Sequence, residues 1–468
     1  MNRNQELIKS TMILAIGQIV PKLLALIILP LLTGYLSQVE YGLYELMLSV
    51  SSFCVPLLSL QIQQGVFRYL IDSQNEKEQY ISSSFIFLIA VFAFAFWGFL
   101  WGGKYYYGNY KLAILFFMCC FSEVLLTWEG QVVRGEGRND RYSLAYIIYS
   151  VSYVGCLLLF KKLYQQLKIE YVLISMIIAY AAALLYLLFA ANIYQMISRK
   201  NFNRRTLKKL LKYSSPMVIS SATLWVVNLS NRLFVSAFLG LEAMASYAVA
   251  NKIPNLFNSI YGIFNLAWTE NASKLSDQEK KDGYYTIFFK QFYSVMVGMM
   301  LILISITPIL FEILIADQYD NAYGLMAWLY VGVFFSSLVA FFGGIYVGEK
   351  KTKDVGISSS IGAIISVVFN VLYMPKMGLM AAVFSVIISQ LIICLYRAMD
   401  IKHYVSISYD KSSIIYGIFF IILAAYLNSN RSTFTIGIVF LIALIYNYMF
   451  NKIFLSRLLK LLFNKINN

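Results

Sequence analysis

The sequence predicts an all-α polytopic membrane protein, and three observations support that fold class. Of the 468 residues, 60% are hydrophobic and only 13% are charged, whereas soluble domains average roughly 45–50% apolar and about 25% charged residues. The mean hydropathy is +0.68. Seven prolines and the lack of long polar runs leave no room for a soluble domain or a flexible linker. The function is therefore expected to be carried by residues inside the membrane bundle.

Fourteen apolar segments are each long enough to cross a bilayer, because about 20 helical residues at roughly 1.5 Å each span a hydrocarbon core of about 30 Å. They are too long and too continuously apolar for barrel strands, so all are predicted to be helices. The first is expected to be a retained helix, since it lacks the cleavage site of a signal peptide. The predicted spans are residues 9–32, 41–63, 81–103, 110–133, 143–163, 170–193, 214–239, 245–268, 286–310, 323–348, 355–375, 379–397, 412–428 and 434–451.

The basic residues are distributed unevenly over the loops. With the N-terminus inside, the cytoplasmic set holds 27 Lys and Arg residues, Arg397 being assigned to the loop 397–411, and the external loops hold 7. Because basic residues are retained on the cytoplasmic side, this asymmetry predicts that both termini are cytoplasmic. It also accounts for most of the net charge of +15, so no nucleic-acid partner is expected. The basic segment Ser198–Lys212 is interpreted as a solvated, lipid-facing linker between two halves.

The chain contains an internal repeat. Leu7–Ile16 matches Leu210–Ile219, and Tyr35–Tyr44 matches Phe238–Tyr247, both at an offset of 203 residues. Six predicted helices separate the copies, so the copies have the same orientation and the repeat is parallel. We therefore expect two six-helix bundles followed by two additional helices. The predicted domains are a first lobe at 1–200, a second lobe at 201–405, and helices 13 and 14 with a cytoplasmic tail at 406–468.

Four basic residues remain inside the predicted spans once those at the span ends are counted with the adjoining loops. Lys290 is close to a helix end, where its ammonium group can reach water. Lys22, Arg232 and Lys252 lie farther from the helix ends. An Arg or Lys at the centre of a membrane helix costs roughly 2.5–3.5 kcal/mol on insertion scales, so it normally faces a polar interior and marks a ligand or ion pathway. These three cations are the primary candidate binding residues.

Polar side chains share helical faces with these cations, because positions three and four apart line up on a helix. Two interpretations remain open. In the first, each cation is a structural pin, meaning that it only stabilises the packed bundle by bonding to a carbonyl or to Glu45, Glu123 or Glu129. In the second, the faces converge on a hydrated cavity that holds an anionic headgroup. Arginine suits the second role, since its planar fork binds phosphate oxygens bidentately. On the second span, the polar stripe comprises Glu45, Ser49, Ser52, Pro56, Ser59 and Gln63. Its counterpart 203 residues later, on the eighth span, comprises Ala248, Lys252, Asn255, Ser259, Gly262 and Leu266.

Three parts of the sequence carry a resemblance to a known family: Lys22 with the following Leu29–Leu46, the segment Asn231–Ile253, and the basic loops after the fourth and tenth spans. Through them, and over essentially the whole chain, the protein resembles the Wzx-type polysaccharide repeat-unit flippases of the MOP exporter superfamily. The resemblance implies two six-helix bundles, often with two extra C-terminal helices. It also implies transport of undecaprenyl-diphosphate-linked oligosaccharide from the inner to the outer leaflet of the bacterial cytoplasmic membrane. Relatives commonly have an acidic residue where this chain has Asn231.

Given the resemblance, alternating access is the expected mechanism, with the diphosphate received by Lys22, Arg232 and Lys252. No cofactor is expected. The expected partners are the lipid-linked oligosaccharide, membrane lipids, and the polymerase and glycosyltransferases of the same capsule or exopolysaccharide pathway. Uncharged residues expected to hydrogen-bond the glycan are Gln18, Ser49, Ser52, Asn228, Asn251, Asn255 and Asn258. Candidates for H+ or Na+ coupling are Glu45, Glu123, Glu129 and Glu270.

Two alternative functions remain. A cation-coupled multidrug antiporter of the same superfamily would need buried carboxylates facing the cavity, whereas the excess in this chain is cationic. A membrane-embedded glycan ligase or transferase would need acidic catalytic or metal-binding motifs, and none is visible. No catalytic or metal site is predicted, because His403 lies in a loop, the five cysteines lack metal-ligand spacing, and Gly-rich phosphate loops are absent. A transporter is therefore favoured over an enzyme.

Overall fold

The computed structural model is helical throughout its described part. The backbone is described at residues 3–72, 76–107, 110–164, 166–275, 281–349, 351–429 and 431–466, and no strand occurs in these ranges. Their side chains are described except at 3–16, 18–19, 72, 103–107, 219–228, 260, 263, 266–267, 270–271, 273–275, 281–282, 352, 453–455 and 457–466. The helices are α1 (Arg3–Tyr35), α2 (Gln38–Ser59), α3 (Ile62–Asp72), α4 (Lys77–Tyr107), α5 (Tyr110–Gly135), α6 (Asn139–Leu163), α7 (Ile169–Ala190), α8 (Ile193–Met196), α9 (Arg204–Leu275), α10 (Lys281–Leu314), α11 (Asn321–Gly348), α12 (Thr352–Met377), α13 (Leu379–Asp400), α14 (Lys411–Ser429) and α15 (Thr433–Ile466).

Each predicted span falls mainly on one of these helices, although the second and sixth spans extend beyond the ends of α2 and α7. The seventh and eighth spans are the two arms of α9, and the other twelve lie on separate helices. By length and composition, the described residues include 12 helices able to cross a membrane, with α9 counted once, and a shorter apolar helix at Val20–Tyr35 within α1. The chain is therefore a multi-pass membrane protein, and the predicted all-α polytopic fold class is confirmed.

The first two helices of each repeat copy are separated at corresponding positions. α2 begins with a capping box: the Ser37 hydroxyl accepts from the Glu40 backbone N–H, and the Glu40 carboxylate accepts in return from the Ser37 N–H. In α9 the helical path is broken at Gly240, which has φ 86° and ψ 178°. Only glycine adopts that backbone conformation without strain. Gly240 follows Ser37 by 203 residues, the offset of the sequence repeat.

The second predicted span is too long at its C-terminal end. α2 ends at Ser59 because Leu60 and Gln61 have left-handed backbone angles, with φ of 46° and 55°. A separate helix, α3, then begins at Ile62 and packs against α4 and α5. Gln63, which the sequence pattern assigned to the polar stripe of the second span, therefore lies on α3.

The first compact unit comprises Met1–Leu229. Its helix α5 contacts α2, α3, α4, α6 and α7, and α1 packs along α6. Most of the α5 span is buried, with Cys120, Trp128 and Val132 fully enclosed. The indole N–H of Trp128 donates to Ser84 Oγ at 2.9 Å, which satisfies the single polar atom of that side chain. Polar residues on α5 are thus placed inside the unit.

The second compact unit comprises Ser230–Asn468. Its central helix is α11, of whose membrane span 83% is buried, and α11 contacts α10, α12, α13 and α14. The last two helices belong to this unit, since α14 packs on α10 and α11 and α15 packs on α10. The predicted domain boundaries at 200 and 405 stay predictions.

Candidate functional site

Helix α1 carries the first predicted cation on an exposed surface. The Lys22 side chain is exposed, and so are the neighbouring Leu23 and Ile27. A lysine in a membrane span is stable only where its ammonium group can reach water or an anion. Gln18, predicted on the same face, lies outside the residues whose side chains are described.

The polar stripe of α2 is largely satisfied within its own helix. The Ser49 hydroxyl donates to the Glu45 carbonyl oxygen at 2.7 Å, and the Ser52 hydroxyl donates to the Ser49 carbonyl oxygen at 2.6 Å. The Glu45 side chain is only 1% exposed and accepts from the Tyr41 hydroxyl at 3.1 Å. The Ser49 and Ser52 hydroxyl groups donate their protons to carbonyl oxygens of the same helix. The half-buried Ser52 hydroxyl would therefore interact with a glycan by accepting a hydrogen bond from it.

Two carboxylates project from α5 into the first unit. Glu123 accepts a hydrogen bond of 2.6 Å from the Ser51 hydroxyl of α2. Glu129 is 6% exposed, and its Oε2 is buried without a hydrogen-bond partner among the described residues. Neither carboxylate forms an ion pair in the described part of the chain. Neither therefore neutralises one of the predicted cations there.

In the second unit, Asn231 of α9 joins α12 and α13. It is 5% exposed, and its Oδ1 accepts from Ser366 Oγ at 3.1 Å, from Ser385 Oγ at 3.3 Å and from Asn370 Nδ2. Asn370 is fully buried, and its own Oδ1 has no described partner. We call Asn231, Ser366, Asn370 and Ser385 the amide cluster. All four side chains are uncharged, so this site contains no carboxylate.

Replacement of Asn231 by leucine is expected to destabilise the protein. The Ser385 hydroxyl also donates to the Ala382 carbonyl oxygen and keeps that bond, but the Asn370 amide would lose its acceptor. A buried donor left unsatisfied costs roughly 1–3 kcal/mol. Equilibrium unfolding in detergent measures this loss. Asn231→Asp is the matched control, because it keeps acceptor oxygens of the same size; a leucine variant as stable as the wild type would contradict the prediction.

Arg232 and the polar face of the C-terminal arm of α9 lie in the second unit. Arg232 is half-buried and interacts electrostatically with the hydroxyl of the buried Tyr247, beyond the Gly240 break. Lys252 is also half-buried. The Asn251 amide donates to the Tyr247 carbonyl oxygen at 2.8 Å. This arrangement places Arg232 near the start of the predicted polar face of the eighth span.

The remaining predicted residues of this arm form a short polar ladder. The Asn258 amide donates to Asn255 Oδ1 at 3.0 Å, and Asn255 is exposed. Asn228 and Glu270 lie outside the residues whose side chains are described. The structure thus brings Arg232 close to Tyr247 of the same helix, and it places Lys22, Ser49 and Ser52 in the other unit. A cavity shared by both sets stays a prediction.

Sequence reasoning missed one buried cation. Arg397 was counted in a loop, but it lies in α13, is 3% exposed and makes four hydrogen bonds. It donates to Ser358 Oγ at 2.9 Å, Ser359 Oγ at 3.0 Å, the Val355 carbonyl oxygen at 3.2 Å and the Val339 carbonyl oxygen at 2.7 Å. The serine pair in α12 was the available signal. Arg397 therefore joins α11, α12 and α13.

Comparison with known proteins identifies the family. A family model described as a polysaccharide biosynthesis protein matches residues 7–269, more than half of the chain. The chain belongs to this polysaccharide biosynthesis protein family. A second family model, MatE, matches residues 216–372 of this polysaccharide biosynthesis protein. No curated protein matches the chain.

Solved structures show which fold this polysaccharide biosynthesis protein has. The lipid II flippase MurJ, in an inward closed conformation, aligns with a TM-score of 0.70 at 15% identity over 96% of this chain and 100% of that chain. An outward-facing multidrug resistance MATE transporter aligns with a TM-score of 0.60 at 13% identity, over 85% of this chain and 96% of that chain. A MOP superfamily transporter from Pyrococcus furiosus gives 0.57 at 12% identity over the same shares. The protein has the fold of MOP-superfamily flippases and transporters.

Proposed function

We propose that this protein is a transporter that flips undecaprenyl-diphosphate-linked oligosaccharide repeat units from the inner to the outer leaflet of the bacterial cytoplasmic membrane. The family match over residues 7–269 is the single observation that carries the proposal. A polysaccharide pathway assembles its repeat units on a lipid carrier and needs them on the other side of the membrane. A multi-pass protein of that family suits this step.

The charges within the membrane helices are consistent with an anionic headgroup as cargo. A diphosphate moving through a low-dielectric region needs compensating positive charge. Arg232 and Lys252 are half-buried in the second unit, and Lys22 is an exposed cation of the first. The proposed Wzx-type mechanism is alternating access, with these cations binding the diphosphate and the asparagines of α9 hydrogen-bonding the sugars. The likeness to a protein described as a lipid II flippase supports a lipid-linked substrate.

Reconstitution tests the proposal directly. The purified full chain would be placed in liposomes that contain undecaprenyl-diphosphate-linked oligosaccharide with a fluorescent sugar, and a membrane-impermeant quencher would report the leaflet. Flipping is expected to make the inner-leaflet fraction accessible within minutes, while liposomes without protein keep it protected. Equal protection with and without functional protein would contradict the proposal.

A multidrug antiporter is the second candidate, because the MatE model matches residues 216–372. Such a transporter would bind cationic drugs through carboxylates, and Glu45, Glu123 and Glu129 are buried or half-buried carboxylates of the first unit. The same liposomes can be loaded with a fluorescent cationic drug. Drug movement that depends on Glu45 or Glu123, without any movement of the lipid-linked oligosaccharide, would favour the antiporter.

We further propose Glu129 as the proton-coupling group, because its buried Oε2 lacks a partner in the described structure. Glu129→Gln should leave flipping without a gradient intact but remove the acceleration by a pH gradient. Coupling free energies of about 1–3 kcal/mol correspond to changes of roughly 5- to 150-fold. The measurement is the flipping rate in liposomes with and without an imposed pH gradient.

Glu136→Gln is the matched control for this measurement. Glu136 follows α5 directly and is paired with Lys77 at 3.5 Å and Arg138 at 3.3 Å. Its carboxylate is compensated by two cations, so its loss should not change the response to the gradient. A Glu129→Gln variant that still responds like the wild type would exclude Glu129 as the coupling group.

A further inference from the structure

A cavity of about 390 Å³ lies in the second unit, lined by residues of α10, α14, α15 and the segment before α14. Its size is within the range of small-molecule sites. Ile287 and Phe450 form an apolar rim and are 63% and 47% exposed. Phe289 and Ile414 continue the apolar wall inward. The cavity therefore opens on the outer, apolar surface of the last helices.

Two opposite charges lie at the polar end of this cavity. The Lys290 Nζ and the Asp410 Oδ2 are 4.0 Å apart, and their side chains are 72% and 45% exposed. An exposed ion pair at this distance contributes little to stability, so each group can exchange its partner for a charge on a ligand. Ser413 holds the carboxylate in place, since its hydroxyl and its backbone N–H both donate to Asp410.

These two hydrogen bonds, with Lys290 nearby, hold the pKa of Asp410 below its ordinary value of 3.8. The carboxylate is therefore ionised from mildly acidic to alkaline pH. The cavity thus presents one fixed negative and one fixed positive charge side by side. That pattern discriminates against a ligand with a single net charge.

The polar side chains on the floor of the cavity are used in joining the helices. Asn451 Nδ2 donates to the Ser294 carbonyl oxygen at 3.0 Å, and Ser294 Oγ donates to Asn451 Oδ1 at 2.8 Å. The Tyr293 hydroxyl donates to the Ile414 carbonyl oxygen at 2.7 Å. The floor consequently offers a ligand few open polar groups, and an acyl chain suits it better than a sugar.

We propose that this cavity binds a membrane phospholipid with a zwitterionic headgroup of one phosphate and one ammonium group. The phosphate contacts Lys290, the ammonium group contacts Asp410, and an acyl chain lies between Ile287 and Phe450. An anionic phospholipid would place its phosphate beside Lys290 and within a few ångströms of the Asp410 carboxylate, but it has no ammonium group to pair with that carboxylate. A hydrocarbon without a headgroup would contact the apolar walls of the cavity but neither Lys290 nor Asp410. This lipid site lies between α10, α14 and α15 and is independent of the transported substrate.

Native mass spectrometry of the full-length protein tests this assignment. The protein in mild detergent would be offered equal amounts of phosphatidylethanolamine and phosphatidylglycerol with matched acyl chains. The wild type should retain phosphatidylethanolamine about three- to fivefold better, the size expected of one exposed ionic contact. Asp410→Asn keeps an acceptor for Ser413 and should reverse the preference toward phosphatidylglycerol. Lys290→Gln should lower retention of both lipids by a similar factor.

Lys411→Gln is the matched control, since Lys411 is an exposed cation beside Asp410 that does not line the cavity. It should leave the preference unchanged. Ile287→Trp narrows the rim and should lower retention of both phospholipids without altering their ratio. Equal retention of the two lipids by the wild type, or an unchanged preference in Asp410→Asn, would overturn the proposal. Displacement of both phospholipids by an undecaprenyl chain alone would also overturn it.

Discussion

Replacement of Lys22, Arg232 and Lys252 together by alanine is expected to reduce flipping of the diphosphate-linked oligosaccharide by a factor of at least about 1000. A hydrogen bond to a charged group contributes roughly 1.5–3 kcal/mol, and charge-assisted bonds to phosphate are of this kind. Since 1.4 kcal/mol corresponds to a tenfold change, three such contacts reach about three powers of ten even at the lower limit. The measurement is the initial rate of quencher access in the liposome assay.

Single substitutions of Arg232 should distinguish the effect of its charge on the flipping rate from the effect of its hydrogen-bond geometry. Arg232→Ala is expected to lower the rate roughly 10- to 150-fold, the effect of one such contact. Arg232→Lys should lie between the alanine variant and the wild type, because lysine keeps the charge but loses the planar fork that binds two phosphate oxygens. Both effects should shrink when the substrate carries a monophosphate, since fewer oxygens then need compensation.

A second triple variant controls for net charge. Lys376, Lys402 and Lys411 are exposed cations of the second unit, and their joint replacement by alanine removes the same three charges from the chain. This control should flip at the wild-type rate. If the Lys22, Arg232 and Lys252 variant instead flips normally but unfolds more easily in detergent, the cations are structural pins. That outcome would contradict the proposed cationic site.

The helices could be predicted because membrane spans leave a strong signal in a single sequence. A span needs about 20 apolar residues whatever its neighbours are, so hydropathy locates it. Gly240 interrupts α9 between the predicted seventh and eighth spans, as expected. The start of α3 could not be predicted, because it depends on the left-handed backbone of Leu60 and Gln61. Neither leucine nor glutamine favours that backbone conformation, so the sequence gives no signal for it.

The candidate site could be predicted only as far as local spacing reaches. Helical periodicity placed Lys252 and Asn255 on one face of α9. The amide cluster depends on contacts between Asn231 and residues at least 135 positions away in the sequence, and no local pattern encodes those partners. Arg397 was missed for a related reason. A count of loop charges treats a cation near a helix end as solvated, whereas tertiary packing buries this one.

Replacement of Arg397 by methionine is expected to destabilise the second unit by about 3–5 kcal/mol. The guanidinium makes four hydrogen bonds to α11 and α12, and each bond to a charged group contributes roughly 1.5–3 kcal/mol. Relief of the desolvation penalty of the buried charge offsets part of that sum, which is why the net value is smaller than four such bonds. Methionine fills a similar volume and so limits the contribution of a cavity. Unfolding in a titration of mixed micelles with a denaturing detergent measures the loss.

Two further variants decide whether the hydrogen-bond geometry or the charge of Arg397 matters. Arg397→Lys keeps the positive charge, but its ammonium group has three donors on one nitrogen and cannot reach the acceptors on both helices at once. It should therefore recover less than half of the lost stability. Lys402→Met removes an exposed cation just after α13 and should change stability by no more than about 0.5 kcal/mol. A methionine variant as stable as the wild type would mean that the four bonds merely offset the cost of burying the charge, and that apolar packing alone holds α13 against α11 and α12.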